Sequence, residues 1–218
     1  MHLFLLIALL STATALHAGP RSAPTPIDAA VAAYERGDLA RAHSALSRLS
    51  REGVPAADYN LAVMHLRGEM PQASPREALR LMTRAAEAGF VTALFGVAQL
   101  HELGQAGLRV DLVQAHRWYL RAADAGSLDA QVAVATAFYL GRGAAKDAAL
   151  AARWFRIAAQ GGDIGAMYVV ASMFETGDGV ERDLKEARYW YQTAALNGDE
   201  AAPSKVRELD AKLGAPST

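Results

Sequence analysis

Apolar and small residues recur along this chain at helical spacing, and the whole pattern then repeats. Counting from Ala93, offsets 0, 4, 5 and 8 are Ala93, Val97, Ala98 and His101; counting from Ala166, they are Ala166, Val170, Ala171 and Phe174. That spacing brings four side chains to one face of a helix. Gly68, Gly104, Gly141 and Gly177 close these segments, as glycine does where a helix ends in a left-handed residue. After a short polar loop, a second helix is predicted to start at Ser74, Asp111, Asp147 or Asp183, whose side chains accept from the free N–H groups of a first turn. Ser74-Pro75-Arg76-Glu77 adds a proline at the first helical position and a glutamate placed for a reciprocal capping box, and Asp183-Leu184-Lys185-Glu186 carries an equivalent glutamate. Each second helix then presents a bulky pair: Leu81-Met82, Trp118-Tyr119, Trp154-Phe155 and Trp190-Tyr191.

A paired alanine and a glycine end every unit. Ala85-Ala86…Gly89, Ala122-Ala123…Gly126, Ala158-Ala159…Gly162 and Ala194-Ala195…Gly198 are each followed, four residues past the glycine, by Ala93, Ala130, Ala166 and Ala202. Gly53 and Ala57 fit the same frame, so units begin at 57, 93, 130, 166 and 202, with spacings of 36, 37, 36 and 36. A fixed period in this range signals tandem helix pairs that bury a continuous core by stacking. Upstream, residues 27–36 and 39–51 flank Gly37-Asp38 as a shorter helix pair, expected to cap the array. Downstream, residues 202–213 supply one closing helix with a polar face of Lys205, Arg207, Glu208, Asp210 and Lys212. Polar terminal units keep such an array soluble.

Composition narrows the functional classes. Hydrophobic residues are 52% of the chain and aromatics only 7%, which with heavy alanine use suits closely packed helices better than sheets. Lys+Arg 22 against Asp+Glu 23 leaves no cationic excess for phosphates, so no nucleic-acid partner is expected. With no cysteine there are no disulfides, thiolate nucleophiles or thiolate metal sites. Residues 3–10 (LFLLIALL) are an apolar run too short to cross ~30 Å of hydrocarbon, but of the length of a signal-peptide core. Residues 1–18 are therefore expected to direct export, with cleavage after Ala18 or Ala15 and no transmembrane span afterwards, although His2 stands where a lysine or arginine is usual. Residues 19–26 (GPRSAPTP) read as a linker and 214–218 as a tail.

Residues 166–198 carry Gly177, Gly179, Val180, Asp183, Ala187, Trp190, Tyr191, Ala194, Ala195 and Gly198 in a fixed frame, and in this the chain resembles the Sel-one-like repeats, a variant of the tetratricopeptide repeat. The likeness covers residues 57–202 closely and 27–56 loosely, as one tetratricopeptide-like capping repeat (27–56) and four Sel-one-like repeats (57–201). The family's Leu-Gly is replaced by Leu61-Ala62, Val97-Ala98, Val134-Ala135 and Val170-Ala171, and its tyrosine by His65, His101, Phe138 and Phe174. The first full repeat also lacks the aromatic pair and the second loop glycine. The resemblance implies an all-α fold, an α/α superhelical solenoid of tandem helix-turn-helix repeats whose first helices line a concave groove. It also implies a non-catalytic scaffold or adaptor for a protein or peptide partner, periplasmic or secreted. The reading set against this is an enzyme, or a regulator of one, in cell-wall peptidoglycan metabolism.

Candidate residues follow from that frame. By analogy with tetratricopeptide packing, offsets 2, 6 and 9 of each first helix point into the groove. They supply Tyr59, Phe95, Gln99, Glu102, Thr136, Tyr139, Tyr168, Ser172 and Glu175, with Tyr59, Phe95, Tyr139 and Tyr168 as anchors for a partner segment; the alternative for offset 2 is packing between repeats. Rigid aromatics among hydrogen-bonding and acidic groups suit a peptide-binding surface. The tryptophans, at a fixed interior offset, are expected in the core. His65 and His101 replace an aromatic in the packing face; equivalent atoms of neighbouring repeats lie ~10 Å apart, too far for shared ligation, so no metal is expected. His43 and His116, at matching offsets two repeats apart, are further still. No Ser-x-x-Lys, Gly-x-Ser-x-Gly, His-Glu-x-x-His or phosphate-binding loop occurs, so no catalytic residues and no cofactor are expected.

Overall fold

The computed structural model describes residues 24–214, and among these it contains eleven helices and no strand. They are α1 (Pro26–Glu35), α2 (Leu39–Arg51), α3 (Pro55–Leu66), α4 (Pro75–Glu87), α5 (Val91–Leu103), α6 (Leu112–Asp124), α7 (Leu128–Leu140), α8 (Ala148–Gln160), α9 (Ile164–Thr176), α10 (Leu184–Leu196) and α11 (Ala202–Leu213). The fold is an all-α solenoid of tandem helix-turn-helix repeats. The segments expected to direct export and to form the tail lie outside the described residues, apart from Gly214, the left-handed cap of α11.

The helices fall into two compact units that divide between Val110 and Asp111. In the first, α1 to α5 each pack on the next; in the second, α6 to α11 do the same. Small residues permit this. Ala57, Ala93, Ala130, Ala166 and Ala202 are buried, as are Ala85, Ala122, Ala158 and Ala194 at the close of the second helices. Larger side chains fill the space between, with Met82, Leu46 and Met64 fully enclosed in the first unit and Tyr191, Leu209, Val134 and Val170 in the second. One ion pair fastens buried charge in each unit: Arg84 of α4 to Asp58 of α3, and Arg188 of α10 to Asp210 of α11.

Helix ends follow the sequence with three corrections. The second helices start at Ser74, Asp111, Asp147 and Asp183, each side chain accepting from a first-turn N–H. Gly104, Gly141 and Gly177 are left-handed caps, whereas α3 ends at Leu66 with Arg67 as cap and Gly68 one residue beyond. The expected reciprocal arms at Ser74 and Asp183 do not form, and the Asp183 N–H donates to the Phe174 carbonyl at 2.9 Å. Glu77 instead takes two hydrogen bonds from Arg80, at 2.6 and 2.8 Å, and the Ser74 N–H donates to His65 Nδ1 at 3.2 Å. The full capping box belongs to Thr25 and Asp28, so the last two residues of the expected linker start α1.

The second glycine of the loop is a packing device. Gly143 and Gly179 have positive φ (75° and 71°), and a Cβ on either would fall well inside 3.0 Å of backbone, at Leu112 and Ala148 respectively. Leu112 starts α6 and Ala148 starts α8, so each loop lies directly on the start of the second helix one repeat earlier. Only a residue without a side chain permits that approach.

Candidate functional site

Offsets 0, 4 and 5 of the first helices are consumed by the core, which leaves offsets 2, 6 and 9 on another face. In the second unit this face is half-buried throughout α7 and α9: Val132 and Thr136, then Tyr168, Ser172 and Glu175, with Tyr139 36% exposed. In the first unit, Phe95, Gln99 and Glu102 on α5 are likewise half-buried. Side chains in this state are neither core nor free in solvent.

On α3 the face is closed: Val63, at offset 6, is 1% exposed, and Tyr59, at offset 2, corrects the sequence reading. Its side chain is 1% exposed, with its ring 5.5 Å from that of Phe90. Burial pushes its hydroxyl well above the ordinary tyrosine range, against the opposing pull of Arg67. Tyr59 is therefore core in this structure and not a partner-facing anchor. Tyr168 is held edge-on to Tyr191 with centroids 5.0 Å apart, so only part of its ring reaches the surface. The Tyr139 hydroxyl donates to Asp178 Oδ2 at 2.9 Å, and that carboxylate raises its pKa. The Thr136 hydroxyl turns back to the Val132 carbonyl at 2.8 Å.

Glu175 is engaged within the chain. It accepts from the Tyr191 hydroxyl at 3.1 Å, and Lys205 and Lys212 of α11 approach to 3.2 and 3.4 Å. Burial pushes its carboxyl up, but the Lys205 ammonium, the Tyr191 hydroxyl and Lys212 outweigh that and hold it below the usual range. Sequence reasoning placed Glu175 on the face without seeing that the closing helix neutralises it.

The histidines have structural surroundings. His65 Nδ1 accepts from the Ser74 backbone, which leaves the ring proton on Nε2, and burial lowers its pKa. His116 is 7% exposed, edge-on to Phe138 at 4.9 Å, with its pKa lowered by burial. A cleft of about 740 Å³ lies against α2 and the α3–α4 loop, with His43, His65, Glu69, Met70, Ser74 and Glu77 among its walls. Among the described residues, no group of three or more His, Asp or Glu is placed to hold a metal ion, and no helix is long and apolar enough to cross a membrane.

The tryptophans sit less deeply than their offset implied. Trp190 is buried, but Trp118 and Trp154 are half-buried, and Arg121 stacks 4.2 Å above the Trp118 ring. The second member of each bulky pair lies deeper: Met82, Tyr119, Phe155 and Tyr191 are all buried, while of the first members only Leu81 and Trp190 are.

Comparison with known proteins agrees with this architecture. The chain superposes on a protective antigen of uropathogenic Escherichia coli strains that displays an SLR fold, with TM-score 0.79 and 23% identity over 88% of this chain and 42% of that one. It also superposes on a Sel1 repeat protein from Oxalobacter formigenes, with TM-score 0.71 and 32% identity over 78% of this chain and 49% of that one. The chain thus spans less than half the length of either structure. No curated protein matches the sequence. The Sel1 repeat model matches four successive segments, residues 55–90, 91–127, 128–163 and 164–199, which contain α3–α4, α5–α6, α7–α8 and α9–α10 in turn. Family pattern and helix pairing coincide repeat by repeat, and the chain belongs to the Sel1 repeat family.

Proposed function

We propose that the protein is a non-catalytic interaction scaffold of the bacterial cell envelope that binds a protein or peptide partner on the first-helix face of its repeats. The observation that carries this reading is the uniform half-burial of offsets 2, 6 and 9 on α5, α7 and α9, with Tyr139 the most open of them. Sel1 repeats commonly mediate protein interactions, which supports the same reading. Phe95, Gln99 and Glu102 form the contact row of the first unit; Thr136, Tyr139, Tyr168 and Ser172 form that of the second, with Glu175 held at its margin by α11. Partly buried aromatics beside hydrogen-bonding groups are the usual anchors of such surfaces.

The envelope location rests on the apolar run at residues 3–10 and the small residues before Ala15 and Ala18. Mass spectrometry of the protein recovered from a periplasmic fraction should find it beginning at Leu16 or Gly19. Finding it intact in the cytosol would refute that part. For binding, Thr136→Arg with Ser172→Arg places two bulky charges on the face. The double variant should keep its helical circular dichroism and lose the species that wild type captures from envelope extract. Retained capture would refute the face.

A further inference from the structure

The outer side of the second helices in the unit from Asp111 onward carries chemistry that partner binding on the first helices leaves unused. Three positions spaced by four residues fall in register on each of them. On α6 they are Val113, Arg117 and Arg121; on α8, Ala149, Arg153 and Ile157; on α10, Lys185, Tyr189 and Thr193. A spacing of four places each trio on one strip of its helix. The strips start side by side, because the Gly143 loop leading into α8 lies on Leu112 and the Gly179 loop leading into α10 lies on Ala148. All these positions except Thr193 are exposed, including Val113 at 50%, Ile157 at 40% and Tyr189 at 58%.

Four of the nine are cations and none is an acid, in a chain that balances 22 Lys+Arg against 23 Asp+Glu. Among the described residues, Arg117, Arg153 and Lys185 have no carboxylate within ion-pair distance, and Arg121 rests on Trp118. The acids that precede the strips, Asp111, Asp147 and Asp183, cap the helices and stand about 200° round the axis from the first strip position, off the face. Asp124 lies on the α6 strip one turn past Arg121, the one acid at its end, and Glu186 is about 100° round α10 from Lys185. A face kept for solubility mixes both signs. Single-sign cations among exposed valine, isoleucine and tyrosine are what an anionic lipid surface takes, with guanidinium groups at the phosphates and apolar side chains at the headgroup boundary. Among the described residues no hydrogen bond fixes these long side chains in one geometry, which suits a fluid field of phosphates better than a single acidic peptide.

We propose that the outer face of α6, α8 and α10 docks the protein peripherally on a membrane rich in anionic phospholipid. The test is co-sedimentation of the chain from Gly19 onward, the form expected after export, with sucrose-loaded vesicles of phosphatidylcholine, alone or with roughly a third phosphatidylglycerol. The protein should sediment with the anionic vesicles and be released when salt rises from about 0.1 M to 1 M. Arg117→Gln with Arg153→Gln should weaken binding roughly tenfold or more. Lys185→Gln should weaken it by a smaller factor. Arg36→Gln with Arg207→Gln removes the same charge elsewhere and should leave affinity nearly unchanged. Equal binding to neutral vesicles would show that anionic headgroups do not drive the adhesion and would overturn the proposal. Equal loss in the two double variants would overturn it too, as would capture by poly-glutamate with none by anionic vesicles.

Discussion

Replacing Gly179 by alanine isolates the contact on which repeat stacking depends. The new Cβ meets two penalties. The backbone is at φ 71°, where an L side chain costs ~1–2 kcal/mol, and the atom would sit well inside 3.0 Å of the Ala148 backbone. Backbone at the start of a capped helix cannot yield as a flexible side chain does, and overpacking adds ~1–3 kcal/mol. The sum is ~2–5 kcal/mol. Gly68 supplies the control: its φ is 68°, but a Cβ there meets nothing within 4 Å, so Gly68→Ala should cost only ~1 kcal/mol after the unfolded chain's lost freedom is credited. For a chain of this size, ~1 kcal/mol moves Tm by ~2–4 °C. Scanning calorimetry should therefore show Gly179→Ala melting ~5–15 °C below wild type and Gly68→Ala within ~4 °C of it. Equal shifts would refute the contact between this loop and α8.

Other perturbations test the remaining assignments. Tyr191→Ala should cost ~3–5 kcal/mol in chemical denaturation, and Trp118→Ala clearly less because its ring is half exposed under Arg121; equal costs would contradict the placement. His116 has a folded pKa below its unfolded value of ~6.5, so stability is complete above that pH and falls as acidification protonates the unfolded chain first. His65 shifts in the same direction. Tm should drop between about pH 7.5 and 5.5, less steeply in His116→Leu, and an unchanged slope would refute the role of His116. Glu175→Gln should loosen α11, seen as faster amide exchange over residues 202–213; exchange identical to wild type would show that the lysine pairing holds nothing.

Much of this was legible in the sequence because it rests on local chemistry. The cap residues Ser74, Asp111, Asp147 and Asp183 and the closing helix over residues 202–213 need only neighbours within one turn to be read. What escaped depends on partners far along the chain. Helical offset gives the direction of Tyr59 but not the Phe90 ring that covers it, 31 residues on (90 − 59). Glu175 looked like a free groove carboxylate because its lysines lie 30 and 37 residues away. The His65–Ser74 bond escaped for a different reason: a glutamate at the right spacing suggested a capping box, and Arg80, one turn on, competed for it. In the bulky pairs, offset marked the tryptophans as interior, and only the packing shows that the second member of each pair lies deeper.

The central claim is that the partner lies on the first-helix face. Site-specific photo-crosslinking in cells tests it most directly, with a benzophenone amino acid placed singly at Gln99, Thr136 or Ser172 and, as a control, at exposed Gln160 on α8. The account predicts one common protein adduct from the three first-helix positions and none from Gln160. Adducts from Gln160 alone, or unrelated adducts at each first-helix position, would contradict it.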